Sequence, residues 1–180
     1  NPHFTYHNLD HTQRVVANAA FISQHYQLSD KDFFIVATAA WFHDIGYYLD
    51  DGDEHEKRGM EAAGKFLRSK EVDQDTILVV QQCIQATHIP QNPQNLLEEI
   101  VCDADLFHFG TDEFAEQNKL MRREAGWRKG KEISKTFWRQ ATIHLIEAHE
   151  FRTDYARQLL NEKKQENLRQ LRSKQLDRAI

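Results

Sequence analysis

The stretch "LSDKDFFIVATAAWFHDIGYY", residues 28–48, decides the fold. Ser29 or Asp30 can cap the start of a helix, and an almost continuous apolar run follows. A run that is apolar on nearly all faces predicts a central helix that is buried on most sides. The run ends on His43 and Asp44, and burying an imidazole and a carboxylate costs several kcal/mol unless a partner satisfies them. This pair therefore needs a partner inside the protein.

The segments on either side of this run also have helical periodicity. Residues 8–26 place apolar side chains at helical intervals, with Asn8 or Asp10 available as the N-cap. The same spacing recurs in "HEKRGMEAAGKFLRSK", in "DQDTILVVQQCIQATH", in "QNLLEEIVCDADLFHFG" and in several segments beyond it. We expect Gly46 to loosen the central helix and Gly110 to stop the helix that precedes it. Because no strand or hairpin pattern appears, the predicted fold class is all-α.

Length, charge and cysteine content narrow the class of protein. The chain has 180 residues, enough for one domain with a single core, which we assign to 1–160, followed by a charged helix or connector at 161–180. A net charge of -5 gives no overall attraction to nucleic acid or to anionic membranes, so we expect neither partner. No apolar stretch approaches the ~18 residues of a membrane segment. Cys83 and Cys102 form no Cys-x-x-Cys pair, which favours a cytoplasmic protein without a disulfide framework.

Side chains suited to a divalent metal recur on separate predicted helices. They are His7, His11, His43, Asp44, His55, His88, Asp103 and Asp105. Imidazole and carboxylate ligands without thiolates indicate an open, catalytic site for Mn, Fe, Ni, Co or Zn. Asp103 and Asp105 are two residues apart on a helix, so only one of them should face a given site. A structural hydrogen bond between His43 and Asp44 is the alternative to metal binding.

The order His, His-Asp, Asp resembles that of the HD-domain superfamily of metal-dependent phosphohydrolases, over about the first 110 residues. This resemblance implies a single-domain helical bundle with the metal site between its central helices. The implied ligands of one metal are His11, His43, Asp44 and Asp105; the Ala-Asp-Leu run selects Asp105 and leaves Asp103 behind the ligands. "YHNLDHTQRVV" is also similar to the opening motif of class I cyclic-nucleotide phosphodiesterases, which implies that His7 is the general acid.

A larger ligand set is implied by the HD proteins that hold two metals. His55, in "HEKRG", and His88, in "ATHIP", would complete that set, with Asp44 bridging the two ions. Lys57 or Arg58, just beyond His55, would contact a phosphate oxygen of a substrate; the alternative is that each is a solvated surface cation. We therefore expect one or two divalent transition-metal ions per chain.

The function implied by this resemblance is hydrolysis of a phosphomonoester or phosphodiester bond in a nucleotide or similar small phosphate ester. The nucleophile would be a metal-bound hydroxide, since a metal lowers the pKa of its water toward ~7. The alternative is a metal- and nucleotide-binding regulatory module without turnover. Competing motifs fail: "HEKRG" and "HEFRT" lack the second His of a zincin protease, and "DDGDEHE" lacks the spacing of an EF-hand.

Overall fold

The computed structural model describes residues 3–49 and 54–176, so the acidic stretch at 50–53 lies outside the described residues. Within those ranges all regular structure is helical, which confirms the predicted all-α class. The helices are α1 (Leu9–His25), α2 (Asp30–Phe42), α3 (Gly46–Leu49), α4 (His55–Arg68), α5 (Gln74–Ala86), α6 (Leu96–Asp105), α7 (Phe114–Arg128), α8 (Lys135–Ala148) and α9 (Asp154–Leu176), with a 3-10 turn at Phe107–Gly110.

The chain forms two compact units. The N-terminal unit comprises His7–Leu106, and the C-terminal unit comprises Asn1–Tyr6 together with Phe107–Ile180. Among the described helices, none combines the length and the apolar composition that a membrane span requires. All candidate metal ligands belong to the N-terminal unit.

Helix α2 lies at the centre of the N-terminal unit, where it packs against α1, α4, α5 and α6. The side chain of Ser29 caps it by accepting a hydrogen bond from the backbone N–H of Asp32. The prediction that α2 is buried on most sides is wrong. Its fully covered side chains form one stripe of Ile35, Val36, Ala39 and Ala40. Phe33, Phe34 and Trp41 keep 42 to 44% of their surface exposed, because the neighbouring helices leave another face of α2 open.

The His43-Asp44 pair lies just beyond the end of α2. The N–H of His43 still donates to the carbonyl of Ala39 at 2.9 Å, and residues 43–45 then form a turn. Helix α3 begins at Gly46, where we expected the helix to loosen. A Cβ at Gly46 would lie 2.0 Å from the carbonyl oxygen of His55. Only glycine therefore permits the first residue of α4 to approach this turn so closely.

Two further helix ends position candidate ligands in the N-terminal unit. Asn8 caps α1 by accepting from the N–H of His11, which places His11 in the first turn of that helix. Asp105 is the last residue of α6. The amide of Asn18 donates to the carbonyl of Ala104 at 3.3 Å, which joins α1 to the end of α6. The middle of α1 therefore lies beside the last turn of α6.

In the C-terminal unit, the 3-10 turn packs against α9. Helix α6 ends before Gly110, and a Cβ at that glycine would lie 2.6 Å from the carbonyl oxygen of Leu160. The amide of Asn167 donates to the carbonyls of residues 109 and 111, at 3.0 and 2.9 Å. Gly110 thus allows the 3-10 turn to approach the backbone of α9.

Helix α9 has a highly charged sequence, yet part of its surface is buried against the rest of the C-terminal unit. It runs without a break through residue 160, and among its described side chains five are buried: Ala156, Leu160, Lys164, Asn167 and Leu168. The predicted division into 1–160 and 161–180 stays a prediction. Along the chain, the boundaries of the two compact units fall between residues 6 and 7 and between residues 106 and 107.

Candidate metal centre

Four predicted ligands from three separate elements meet in the N-terminal unit. The Nε2 atom of His11 lies 3.2 Å from Oδ2 of Asp44 and 3.5 Å from Oδ1 of Asp105. The Nε2 atom of His43 lies 3.1 and 3.6 Å from the same two oxygens. The structure thus brings together His11 from α1, His43 and Asp44 from the turn after α2, and Asp105 from α6.

The donor atoms of this cluster fit a divalent cation. Two ligand atoms that each lie ~2.0–2.2 Å from one metal are ~3–4 Å apart, as the atoms of the cluster are. One ligand atom from each of His11, His43 and Asp105 lies within 4.8 Å of the others. Nε2 of His43 and Oδ2 of Asp44 are buried and have no hydrogen-bond partner among the described residues. Because unsatisfied buried polar atoms are costly, a cation is the partner that this donor set favours.

A second hydrogen bond orients the imidazole of His43. Its Nδ1 lies 2.8 Å from the carbonyl oxygen of Ala40. A carbonyl oxygen only accepts hydrogen bonds, so Nδ1 carries the proton and donates it. In the neutral ring, the lone pair of Nε2 then faces the cluster, which is the arrangement that metal-binding histidines use.

The charges within the cluster favour ionised carboxylates. Burial alone would raise the pKa of Asp44, but the charges of His43 and His7 hold it well below its usual range. Burial would also raise the pKa of Asp105, but its contacts with His11 and His43 outweigh burial and lower that pKa. For His11 and His43 the effects are reversed. Burial lowers the pKa of each imidazole, but the carboxylates of Asp44 and Asp105 outweigh burial, so both pKa values are raised. Both carboxylates are therefore negatively charged at neutral pH and ready to bind a cation.

A second group of polar side chains adjoins the first through Asp44. The other carboxylate oxygen of Asp44, Oδ1, lies 3.7 Å from Nε2 of His55. Nε2 of His55 is also 3.2 Å from Oε1 of Glu56, and Nδ1 of His88 is 3.0 Å from that same oxygen. His55 and His88, both predicted to bind a second metal, thus contact the same carboxylate oxygen of Glu56.

Sequence-based reasoning did not single out Glu56. In the structure this residue is buried, with 6% of its surface exposed. The available signal was its position directly after His55 in "HEKRG". An acidic residue in the first turn of a helix is favourable for other reasons, since it interacts with the helix dipole. The pattern therefore did not distinguish a buried functional carboxylate from an ordinary one.

His7 lies beside the cluster in a stack of three rings. Its imidazole stacks on the ring of Tyr47 at 4.2 Å, and Tyr47 stacks on His55 at 4.0 Å. The ring centroid of His7 lies 5.9 Å from that of His11. Tyr47, which sequence reasoning did not single out, is buried and supports both histidines. The role of His7 as a general acid stays a prediction.

The remaining predicted residues have contacts of other kinds. Nζ of Lys57 is exposed and lies 3.7 Å from a carboxylate oxygen of Glu54. The Nε–H of Arg58 donates to the carbonyl of Gly46 at 3.2 Å. Asp103 is fully buried within α6. Contact of Lys57 and Arg58 with a substrate phosphate therefore stays a prediction.

Comparison with known proteins agrees with the geometry of this centre. The family model of the HD domain matches residues 8–110, more than half of the chain. This range includes the four clustered side chains as well as His55, Glu56 and His88. No curated protein and no solved structure matches the chain. The family match shows that the chain belongs to the HD-domain superfamily of metal-dependent phosphohydrolases.

Proposed function

We propose that this chain hydrolyses a phosphomonoester or phosphodiester bond of a nucleotide or similar small phosphate ester. The observation that carries the proposal is the meeting of His11, His43, Asp44 and the half-buried Asp105 within a matched HD domain. When bound, a divalent metal supplies Lewis acidity and an activated water near neutral pH. Mn, Fe, Ni, Co and Zn suit the imidazole and carboxylate donors.

The residues of the chain divide into two ligand groups that share Asp44. His11, His43 and Asp105 would hold the first ion together with Oδ2 of Asp44. Oδ1 of Asp44 lies 3.7 Å from Nε2 of His55, so this carboxylate would also help to hold a second ion together with His55. Glu56 and His88 would complete the second group. Oε1 of Glu56 lies 3.2 Å from Nε2 of His55 and 3.0 Å from Nδ1 of His88.

His7 is the proposed proton donor to the leaving alkoxide. Its stacking on Tyr47 restricts the orientation of the imidazole beside the ligand cluster. Lys57 and Arg58 are the proposed contacts for phosphate oxygens. A cytoplasmic location fits the two cysteines, which are buried and unbonded to each other.

Turnover of a substrate panel tests the proposed function. The full chain is assayed with phosphomonoesters, cyclic mononucleotides, dinucleotides and nucleoside triphosphates, each with Mn, Fe, Ni, Co or Zn. We expect hydrolysis of at least one class, and no hydrolysis by the Asp44→Asn variant. Binding of metal and nucleotide without turnover across the panel would instead support a regulatory module.

Replacing Glu56 with glutamine is expected to weaken the binding of the second ion without affecting the binding of the first. The amide keeps the shape of the side chain but loses the negative charge that lies between His55 and His88. If two ions bind, the metal content should fall by about one ion per chain while the first ion stays bound. Elemental analysis after dialysis measures this content. Glu61→Gln is the matched control, because Glu61 is exposed on the same helix; equal metal content in the two variants would contradict the role of Glu56.

Replacing His7 with alanine is expected to lower turnover by about 10²- to 10⁴-fold while metal remains bound. The loss arises because the leaving alkoxide would no longer receive a proton. The defect should therefore be much smaller for a p-nitrophenyl ester, whose leaving group departs as a stable anion. Steady-state kinetics with both ester types measure the difference, and His25→Ala is the control.

Two results would argue against this role of His7. Loss of metal together with activity would make His7 a ligand rather than an acid. An equal defect with both types of ester would mean that His7 acts on something other than the leaving group.

A further inference from the structure

The C-terminal unit contains a basic groove that the proposed metal centre does not use. It is a cavity of about 340 Å³ formed by α7, α8 and α9. Six cationic side chains line it: Lys119, Arg122, Arg123, Lys135, Arg139 and Lys174. The chain as a whole has a net charge of -5, but this unit has 16 Lys and Arg residues against 11 Asp and Glu. Positive charge is thus concentrated in one unit and on one of its surfaces.

Acidic residues neutralise only part of the groove. Nζ of Lys119 lies 3.2 Å from a carboxylate oxygen of Glu116, and both side chains are exposed. Nη1 of Arg122 lies 3.8 Å from a carboxylate oxygen of Glu132. Exposed pairs of this kind contribute little and are screened by salt. They leave the groove with an excess of positive charge.

The other four cations have no carboxylate partner within the described residues. Arg123, Lys135 and Lys174 form no ion pair there, and Arg139 donates to the backbone carbonyl of Lys174 at 2.7 Å. A carbonyl oxygen leaves the positive charge of the guanidinium in place. A concave surface with several such charges attracts anions and raises their local concentration.

The floor of the groove is apolar and includes an aromatic ring. Phe114, Trp138 and Leu171 line it. The indole N–H of Trp138 donates to the side-chain oxygen of Asn118 at 2.7 Å, which holds the ring in place. The cavity volume falls in the ~300–1,000 Å³ range of small-molecule pockets. A fitting ligand therefore has one flat apolar part and one part with several negative charges.

We propose that this groove binds a nucleoside polyphosphate, with its phosphates against the cationic rim and its base on the apolar floor. Guanidinium and ammonium groups are the usual partners of phosphate oxygens. The cations converge on one cavity, which suits the closely spaced charges of a polyphosphate. A nucleic-acid strand would distribute its charges along a longer surface. This binding is independent of the metal centre and does not rest on the proposed hydrolytic function.

Calorimetric titration of the full chain with ATP and with GTP tests the proposal. EDTA in the buffer removes divalent metal, and the Asp44→Asn variant is titrated in parallel, so binding at the metal centre is distinguished from binding in the groove. The test variant is Arg123→Glu combined with Lys135→Glu. Its matched control is Arg128→Glu combined with Lys129→Glu, two exposed cations at the end of α7 that do not line the groove.

We expect ATP or GTP to bind the wild type and the Asp44→Asn variant equally, and to bind the test variant at least about tenfold more weakly. The control variant should bind like the wild type, and affinity should fall as salt increases. If circular dichroism shows that the test variant is unfolded, Arg123→Gln with Lys135→Gln replaces it.

Three results would overturn the proposal. Equal nucleotide affinity in the test variant and the wild type would mean that the groove is not the site. Inorganic tripolyphosphate binding as tightly as ATP and GTP would exclude a role for the apolar floor. Tighter binding of a single-stranded RNA than of either nucleotide would assign the surface to nucleic acid.

Discussion

Replacing Asp44 with alanine is expected to abolish both the metal content and the hydrolytic activity of this chain. Among the described residues, the proposed ligand Asp44 adjoins both groups: its Oδ2 lies 3.2 and 3.1 Å from the Nε2 atoms of His11 and His43, and its Oδ1 lies 3.7 Å from that of His55. Its loss removes a negative charge that attracts the cation, and few other charged groups in this buried site can replace that charge. His43→Ala should have the same effect, because it removes an oriented imidazole donor.

The measurement is metal per chain by elemental analysis, together with turnover of the best substrate. Asp10→Ala is the matched control, because Asp10 precedes His11 on α1 but is exposed. Circular dichroism separates loss of metal from loss of fold, and Asp44→Asn provides a variant of the same shape. Full turnover by the Asp44→Ala protein in metal-chelated buffer would refute the proposed centre.

Replacing Gly46 with alanine is expected to disrupt the approach of α4 to the turn that carries His43 and Asp44. The added Cβ would lie 2.0 Å from the carbonyl oxygen of His55 and 2.7 Å from its Cα. Because these are backbone atoms, the start of α4 must move, and His55 and Glu56 must move with it. Overpacking of this kind costs about 1–3 kcal/mol. For a chain of this size the expected fall in Tm is roughly 2 to 12 °C.

Gly64→Ala, within α4, is the control for Gly46→Ala. A Cβ at Gly64 would meet only side-chain atoms of Gln81 and Arg68, which can move aside. Alanine also favours the helix by about 1 kcal/mol over glycine. Thermal unfolding and metal content of both variants test the difference. A Gly46→Ala protein with the Tm and metal content of the wild type would show that this close approach is unimportant.

Local patterns in the sequence predicted much of the N-terminal unit. Asn8 and Ser29 were each among the expected caps and do cap their helices. The structure brings His11, His43, Asp44 and Asp105 together, as the resemblance to the HD-domain superfamily implied. Their roles as ligands stay predictions. The caps could be anticipated because a cap depends on residues that are close in the chain, whereas the meeting of the four side chains could be anticipated only through the family resemblance.

Contacts between distant segments could not be predicted in the same way. Glu56 meets His88 across 32 positions of the chain, so its importance depends on how α4 packs against α5. The exposure of Trp41 depends on which faces of α2 its neighbours cover. The buried residues of α9 depend on its packing against the 3-10 turn. In each case the local sequence is compatible with more than one environment.

The sequence by itself therefore determined the all-α class and the side chains available to bind metal, because periodicity and residue chemistry are local properties. Only the tertiary structure decided that Glu56 lies between His55 and His88 and that Gly46 must lack a side chain. These facts depend on distances between atoms of separate elements. Such distances are set by the packing of whole helices and not by the residues next to each other in the chain.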